Sequence, residues 1–379
     1  MKKQHYNIRI YLLTLSLTSL LLAACRKDPQ PIAEEVETLF PATPNSMVKG
    51  IYLLNEGNLN LNKASLDYVD YTTGLYRRNI YNQINPEVTK GLGDVGNDMA
   101  IYGSKLYVVV NNSNKIEVLN AKTGKRIKQI DLSNCRHITF HNNKAYVSAY
   151  ISNVGDPNAP NGIVAEIDTT TLLVERRVTV GRQPEGLSVV GSKLYVANSG
   201  GYSPPNYERT VSVVDIASFN EVKRIDVAIN LNQLKADKYG DLYVTSLGDY
   251  LNIAPKLFVI DTQTDQVKKT FDLQARTLWI DNDLAYVIST KPGNAQGYSY
   301  NLINVNDETL LARQFITDAT AGQINNPYGL AVNPVTKEVL VTDAKDFLTS
   351  GTLYCFDTNG QKKWFVTTGD VPAHFAFIY

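Results

Sequence analysis

An all-β, seven-bladed β-propeller is the fold this chain predicts, and three observations carry that expectation. The 379-residue composition holds 23 Tyr and 24 Gly against three Met and three Cys, a balance suited to strands and turns. A short strand with an apolar-aromatic centre recurs seven times. A lone strand-like segment at the C-terminus matches a gap at the start of the repeat array. With 37 basic and 37 acidic residues the chain is neutral, which argues against a dedicated nucleic-acid binder.

The chain opens on an address. Lys2, Lys3 and Arg9 precede an apolar run over residues 10–22, and Leu22-Ala23-Ala24-Cys25 closes the segment. A positive start, a run too short for a comfortable span and small residues at its end define a signal peptide over 1–24. The LAAC ending resembles the bacterial lipobox, which implies that Cys25 becomes the lipidated N-terminus. Acyl chains contribute about 0.8 kcal/mol per buried methylene, so three of them hold a folded domain on a bilayer. Residues 25–47 are proline-rich and aperiodic, and read as a flexible tether. Lys27-Asp28 is similar to the charged signal that sends some gut-anaerobe lipoproteins to the outside of the outer membrane. A periplasm-facing anchor is the alternative. Cys135 and Cys355 read as ordinary strand or loop-edge residues.

The repeat array fills residues 48–379. Its anchors are IYLLNE, KLYVVV, KAYVSA, KLYVAN, DLYVTS, LAYVIS and EVLVTD, with Tyr52 and Leu340 as the first and last equivalent positions, 288 residues and six steps of 48 apart. Each anchor is followed by a second strand, a tight Asp/Asn/Thr/Gly turn and a third strand, with alternating apolar and polar residues. One more strand precedes anchors two to seven: MAIYG, HITFHN, GLSVVG, QLKADKYG, TLWIDND and GLAVNP. The first anchor lacks it, and HFAFIY at 374–379 supplies it from the other end. Strand exchange between the termini closes the ring and removes open edges. The anchors LYVANSGG…TVSVVD and LFVIDTQTDQVKK resemble the YVTN-type repeats of the YncE-like propeller family over 48–379. That resemblance speaks to fold, because propellers host many unrelated activities.

Loop lengths point to one face. The turns from innermost strand to anchor are short, whereas the connections leaving the anchors are long, as in 149–163, 197–210, 246–256, 289–299 and 343–351. In an up-and-down blade these loops emerge beside the connections between blades, so they crowd one rim of the channel. They are rich in Tyr, Asn, Gly and Pro, residues that give flat contact area and adaptable hydrogen bonds. The candidate ligand-binding residues are Asn55, Asn111, Asn112, Arg136, Tyr150, Glu185, Tyr202, Tyr207, Tyr250, Arg276, Tyr298, Tyr300 and Tyr328. Asp98, His137, Gln233 and His374 are expected to ring the channel mouth with Arg136, Glu185, Arg276 and Tyr328.

Catalytic signatures do not emerge. The sequence carries no GxSxG, HExxH, paired CxxC or phosphate-binding loop, so no catalytic residue, cofactor or metal is assigned. A lactonase-type metal site could be imitated by Glu56, Asp98 and Glu185 with Asn55 or Asn198, in no pattern that matches one. The loop NVGDPNAPNG lacks regular calcium-ligand spacing. Arg182, Arg209, Lys256, Lys291 and Lys345 are balanced by acids, against a basic nucleic-acid face.

A lipid-anchored propeller with a Tyr/Asn-rich face and no catalytic set reads as a capture protein. It resembles the BtuG-like surface lipoproteins that bind cobalamin and pass it to a TonB-dependent outer-membrane barrel transporter. The resemblance implies a corrinoid lying over the channel mouth and a barrel partner beneath the propeller, with cobalamin as ligand rather than cofactor. Another ligand such as a glycan, or a protein-interaction scaffold, stays open beside it.

Overall fold

The computed structural model describes residues 35–292 and 297–379, so the signal segment and Cys25 lie outside the described residues. The chain forms seven antiparallel sheets arranged as the blades of a propeller, as the repeat array predicts. Strand β1 (Glu35–Thr38) precedes the first blade, which holds β2 (Gly50–Asn55), β3 (Ser65–Asp70) and β4 (Leu75–Arg78), followed by the short helix α1 (Ile80–Ile84). Blades two to seven are β5–β8 (residues 96–131), β9–β12 (135–182), β13–β16 (184–226), β17–β20 (231–271), β21–β24 (274–314) and β25–β28 (327–370). The last strand, β29 (Pro372–Ile378), returns to pair with β2, so the first blade reads β1-β4-β3-β2-β29. The C-terminal segment is thus the missing innermost strand of the N-terminal blade.

Blades stick because each anchor strand has two apolar sides. In β6 (Lys105–Val110), Leu106, Val108 and Val110 pack toward blade one, while Tyr107 and Val109 pack toward blade three. Alternation with period two therefore feeds two interfaces from one strand. Seven buried clusters result, one between each pair of neighbouring blades. The anchor tyrosines explain their recurrence: the ring is buried between blades, and in Tyr52, Tyr107 and Tyr195 the hydroxyl ties the next blade's outer turn. Tyr52 donates to Ala121 O at 3.0 Å and Tyr195 to Asp265 Oδ1 at 2.8 Å. Outermost strands such as β16 (Asn220–Asp226) are mostly exposed and rich in charge, which suits a rim facing water. Cys135 and Cys355 are both buried and unbridged.

One segment departs from its expected character. Within the stretch read as tether, β1 pairs with β4, Arg78 forms an ion pair with Glu35, and Phe40 packs on Tyr71 at 5.3 Å and Trp364 at 5.8 Å. The reason is the open edge of β4, whose unpaired amides and carbonyls accept any extended neighbour. A four-residue edge strand with every side chain exposed carries little hydrophobic pattern to reveal it.

Candidate functional site

The site is built by a feature repeated in every blade. All seven innermost strands carry a one-residue bulge against their anchor strand at the same height. In blade three, Cys135 faces Ala149 and Ile138 faces Val147, so Arg136 and His137 together oppose Ser148. A bulge re-aims side chains that a regular strand would alternate. Two rungs of residues follow. The upper rung is Asn97, Arg136, Glu185, Asn232, Arg276, Tyr328 and Ala373; the lower is Asp98, His137, Gly186, Gln233, Thr277, Gly329 and His374.

Hydroxyls and side chains satisfy the amides that the bulges free. Ser148, Thr245 and Thr342 accept from the backbone N–H of His137, Gln233 and Gly329 at 3.1, 3.0 and 2.7 Å. Carboxylate and amide side chains then bridge blades: Asp98 Oδ2 accepts from Ile138 N at 3.0 Å, and Gln233 Oε1 from Leu278 N at 2.8 Å. Glycine occupies two lower-rung positions because the next blade's backbone is close. A Cβ on Gly329 would stand 2.3 Å from Ala373 O, and one on Gly186 2.7 Å from Asn232 O.

Around blades one to four the rungs form a continuous polar chain. Arg136 holds Glu185 with two bonds of 3.0 and 3.2 Å and donates to Asn97 Oδ1 at 2.6 Å. Tyr150 also donates to Glu185, and the Arg136 guanidinium lies over its ring. His137 bridges Asp98 at 3.3 Å and Glu185 at 3.4 Å. His374 lies 3.1 Å from Glu56 and 3.8 Å from Asp98, and Tyr328 donates to Glu56 at 3.1 Å. Burial alone would raise the Glu185 carboxyl, but the Arg136 charge and the His137 hydrogen bond outweigh it and hold it down to about 2. The same contest leaves Asp98 below the usual carboxylate range through His137. For His137 burial opposes the charge, yet its bonds to Asp98 and Glu185 raise it. Burial pushes the Tyr150 and Tyr328 hydroxyls well up, so both serve as donors.

The rungs line a central channel of about 1020 Å3, open on the long-loop face. That is at the upper end of small-molecule sites. Tyr202, Tyr250 and Leu251 stand over its mouth, 44%, 67% and 87% exposed. Trp279 and Tyr379 line it farther along the innermost strands, Tyr379 in the open.

The expected site residues divide. Arg136, Tyr202, Tyr250, Arg276 and Tyr328 line the channel, with Tyr150 and Glu185 buried directly behind Arg136. Tyr298 supports Arg276, whose guanidinium lies 6.0 Å from its ring. Tyr207 is half-buried on its loop, its hydroxyl 3.5 Å from Asp249 O. The remaining four do not line the channel. Tyr300 is fully buried between blades six and seven, because its position in β23 (Tyr298–Asn304) faces the interface rather than the rim. Asn55 is fully buried and donates to Asp67 at 2.7 Å, and Asn111 donates to Cys135 O at 3.0 Å. Asn112 is taken up by Asp94 and Asn60 within the loops. Strand-end asparagines satisfy backbone and loop groups before they meet any ligand. Conversely, Glu56, Asn97 and Lys235 were missing from the expected ligand set. Glu56 sits just past an anchor, and Lys235 one step below the lower rung, a place visible only once the bulges align the strands. No group of three or more His, Cys, Asp or Glu suited to a metal ion occurs among the described residues.

Fold and site together define a seven-bladed propeller with a ligand-sized, charge-lined channel opening on its loop face. The chain belongs to the family described as a domain of unknown function, DUF5074, whose model matches residues 49–377. No curated protein matches it. Among solved structures it is similar to Kuenenia stuttgartiensis hydrazine synthase, at 16% identity and a TM-score of 0.56, covering 70% of this chain and 77% of that one. It is also similar to a quinonprotein alcohol dehydrogenase-like protein of Bacteroides thetaiotaomicron, at 15% identity and a TM-score of 0.59, covering 87% of this chain and 78% of that one. At these identities the likeness is one of fold.

Proposed function

We propose that this chain is a lipid-anchored capture protein that binds a bulky polar small molecule over the channel mouth. A corrinoid such as cobalamin is the ligand proposed, with delivery to a TonB-dependent outer-membrane transporter and a binding rather than catalytic role. The observation that carries this reading is the pairing of a large, charge-lined channel with exposed aromatic and apolar residues at its mouth. Rigid inner strands position the polar groups, and long loops supply flat contact area above them. A corrinoid is broad, with amide groups at its edge, and fits a mouth that offers both donors and acceptors. Leu59, Leu61 and Leu348, 56–71% exposed on loops of the same face, support a protein partner docking around the ligand.

Calorimetric titration of the purified chain with cyanocobalamin tests the reading. Saturable binding is expected, and the double variant Tyr202→Ala/Tyr250→Ala should weaken it by about tenfold, near 1.4 kcal/mol. A silent titration, together with a colourless purified protein, would remove the corrinoid.

A further inference from the structure

We propose that Arg276 and Lys235 form a subsite for an anionic oxygen group, a phosphate ester or a carboxylate, carried by the captured molecule. The inference rests on the capture reading and adds which end of the ligand lies against which blades.

The argument starts from how the channel's cations are paired. Arg136 is held by Glu185 and Asn97 and His137 by Asp98 and Glu185, while the His374 ring lies against Glu56. Arg276 occupies the same upper rung as Arg136, three blades on. The rung neighbours of Arg136 are Asn97 and Glu185, whereas those of Arg276 are Asn232 and Tyr328, neither of them acidic. Among the described residues its one partner is the Tyr298 ring. Stacking occupies the face of a guanidinium and leaves its N–H edge free for a planar, bidentate anion. Lys235 projects into the channel from the neighbouring blade and makes no hydrogen bond or ion pair among the described residues. The channel lining contributed by blades five and six contains no Asp or Glu, and the undescribed residues 293–296 are Gly-Asn-Ala-Gln.

The channel is therefore electrically lopsided. Glu56, Asp98 and Glu185 gather on blades one, two and four, and the two uncompensated cations face them from blades five and six. The Lys235 charge reaches Asp98 across the space and helps to keep it ionised. Inside a channel with low-dielectric walls such a field is screened less than on an open surface. A negatively charged group is drawn to blades five and six, away from the internally paired groups of blades one to four. Tyr250 and Leu251 overhang the cationic side, and Trp279 lies beneath it, so an apolar body attached to the anion has surfaces to pack on.

Trp279 lines the channel, whereas Trp364 is buried between blades, so intrinsic fluorescence reads the subsite directly. The purified chain is titrated at constant ionic strength with inorganic phosphate and, separately, with citrate. A saturable change that disappears in Trp279→Phe is expected for at least one of them. Response to phosphate alone assigns a phosphate group, to citrate alone a carboxylate, and to both an anionic group of either kind. Arg276→Gln and Lys235→Gln, checked for native circular dichroism, should each weaken binding about tenfold, while Lys122→Gln on an outer turn should not. No saturable response to either anion, or unchanged affinity in both variants, overturns the subsite. A parallel cyanocobalamin titration separates the two readings. Anion binding without corrinoid binding keeps the subsite and discards the corrinoid; corrinoid binding indifferent to both substitutions keeps capture and discards the subsite.

Discussion

At the scale of single residues, the chain of Tyr328, Glu56, His374, Asp98, His137, Glu185 and Arg136 shows how a channel stays charged without collapsing. Each ionised group has an opposite partner or a hydrogen bond, which buried charges require. The consequence is a pH signature. His137 titrates above its ordinary value of about 6.5, so the stability it supplies is complete below that value and is lost as pH rises through the raised one. Asp98 and Glu185 titrate below their ordinary range near 4, so their share is present above that range and is lost as pH falls through the lowered values. The titratable and charged groups around His137 are Asp98, Glu185 and, beyond Asp98, His374, with Arg136 paired to Glu185 and Lys235 across the channel. The melting temperature of the wild type should exceed that of His137→Gln most at about pH 5–6, and the gap should narrow toward alkaline pH. A gap that stays constant from pH 5 to 9 would show that folding does not raise the His137 pKa.

At the scale of elements, the bulge decides what the channel contains. A regular inner strand would send alternate side chains inward, whereas the extra residue presents two successive positions at once. Each bulge frees an amide that needs a partner, and Thr342 serves two blades: it accepts from Gly329 N at 2.7 Å and donates to Pro372 O at 2.6 Å. Thr342→Val keeps the shape and removes both bonds. It should destabilise the protein by about 1–3 kcal/mol in denaturant unfolding, since buried amide and carbonyl groups lose their partner. A cost within error of zero would mean that the bulge amide finds water instead. None of the bulges was legible beforehand, because a one-residue offset between paired strands leaves the hydrophobic pattern of each strand intact. The mouth positions were legible in outline, as residues at the start of each innermost strand. Which of them pair was not, since Arg136 and Glu185 are 49 residues apart and meet only when blades three and four close.

For the whole molecule, stability rests on ring closure. Blade one takes its inner strand from β29, and the seventh apolar interface joins Leu340 and Leu353 to Ile51, Leu53 and Phe375. Phe375 is buried there and Ile378 in the interface with blade two, at about 1.5–3 kcal/mol each. Truncation after Val371 should therefore lower the melting temperature by roughly 5 °C or more, or prevent folding outright. An unchanged melting curve would mean that the ring does not depend on its terminal strand. The closure was readable because it leaves a countable trace, six complete strand sets, one set short of its inner strand at the start and one orphan strand at the end. The added β1 leaves no such trace, being short, exposed and held by the edge it covers.

The order of residues was enough to specify a seven-bladed ring, its closure and the rim that carries the long loops, because strand periodicity and turn chemistry are local and repeat at a steady interval. The assignment of Tyr300, Asn55 and Asn111 to the core, the union of distant charges into one chain, and the two channel cations without an acidic partner among the described residues were settled only in three dimensions. Each depends on the register between strands and the contact between blades, and neither quantity is written in any single stretch of sequence.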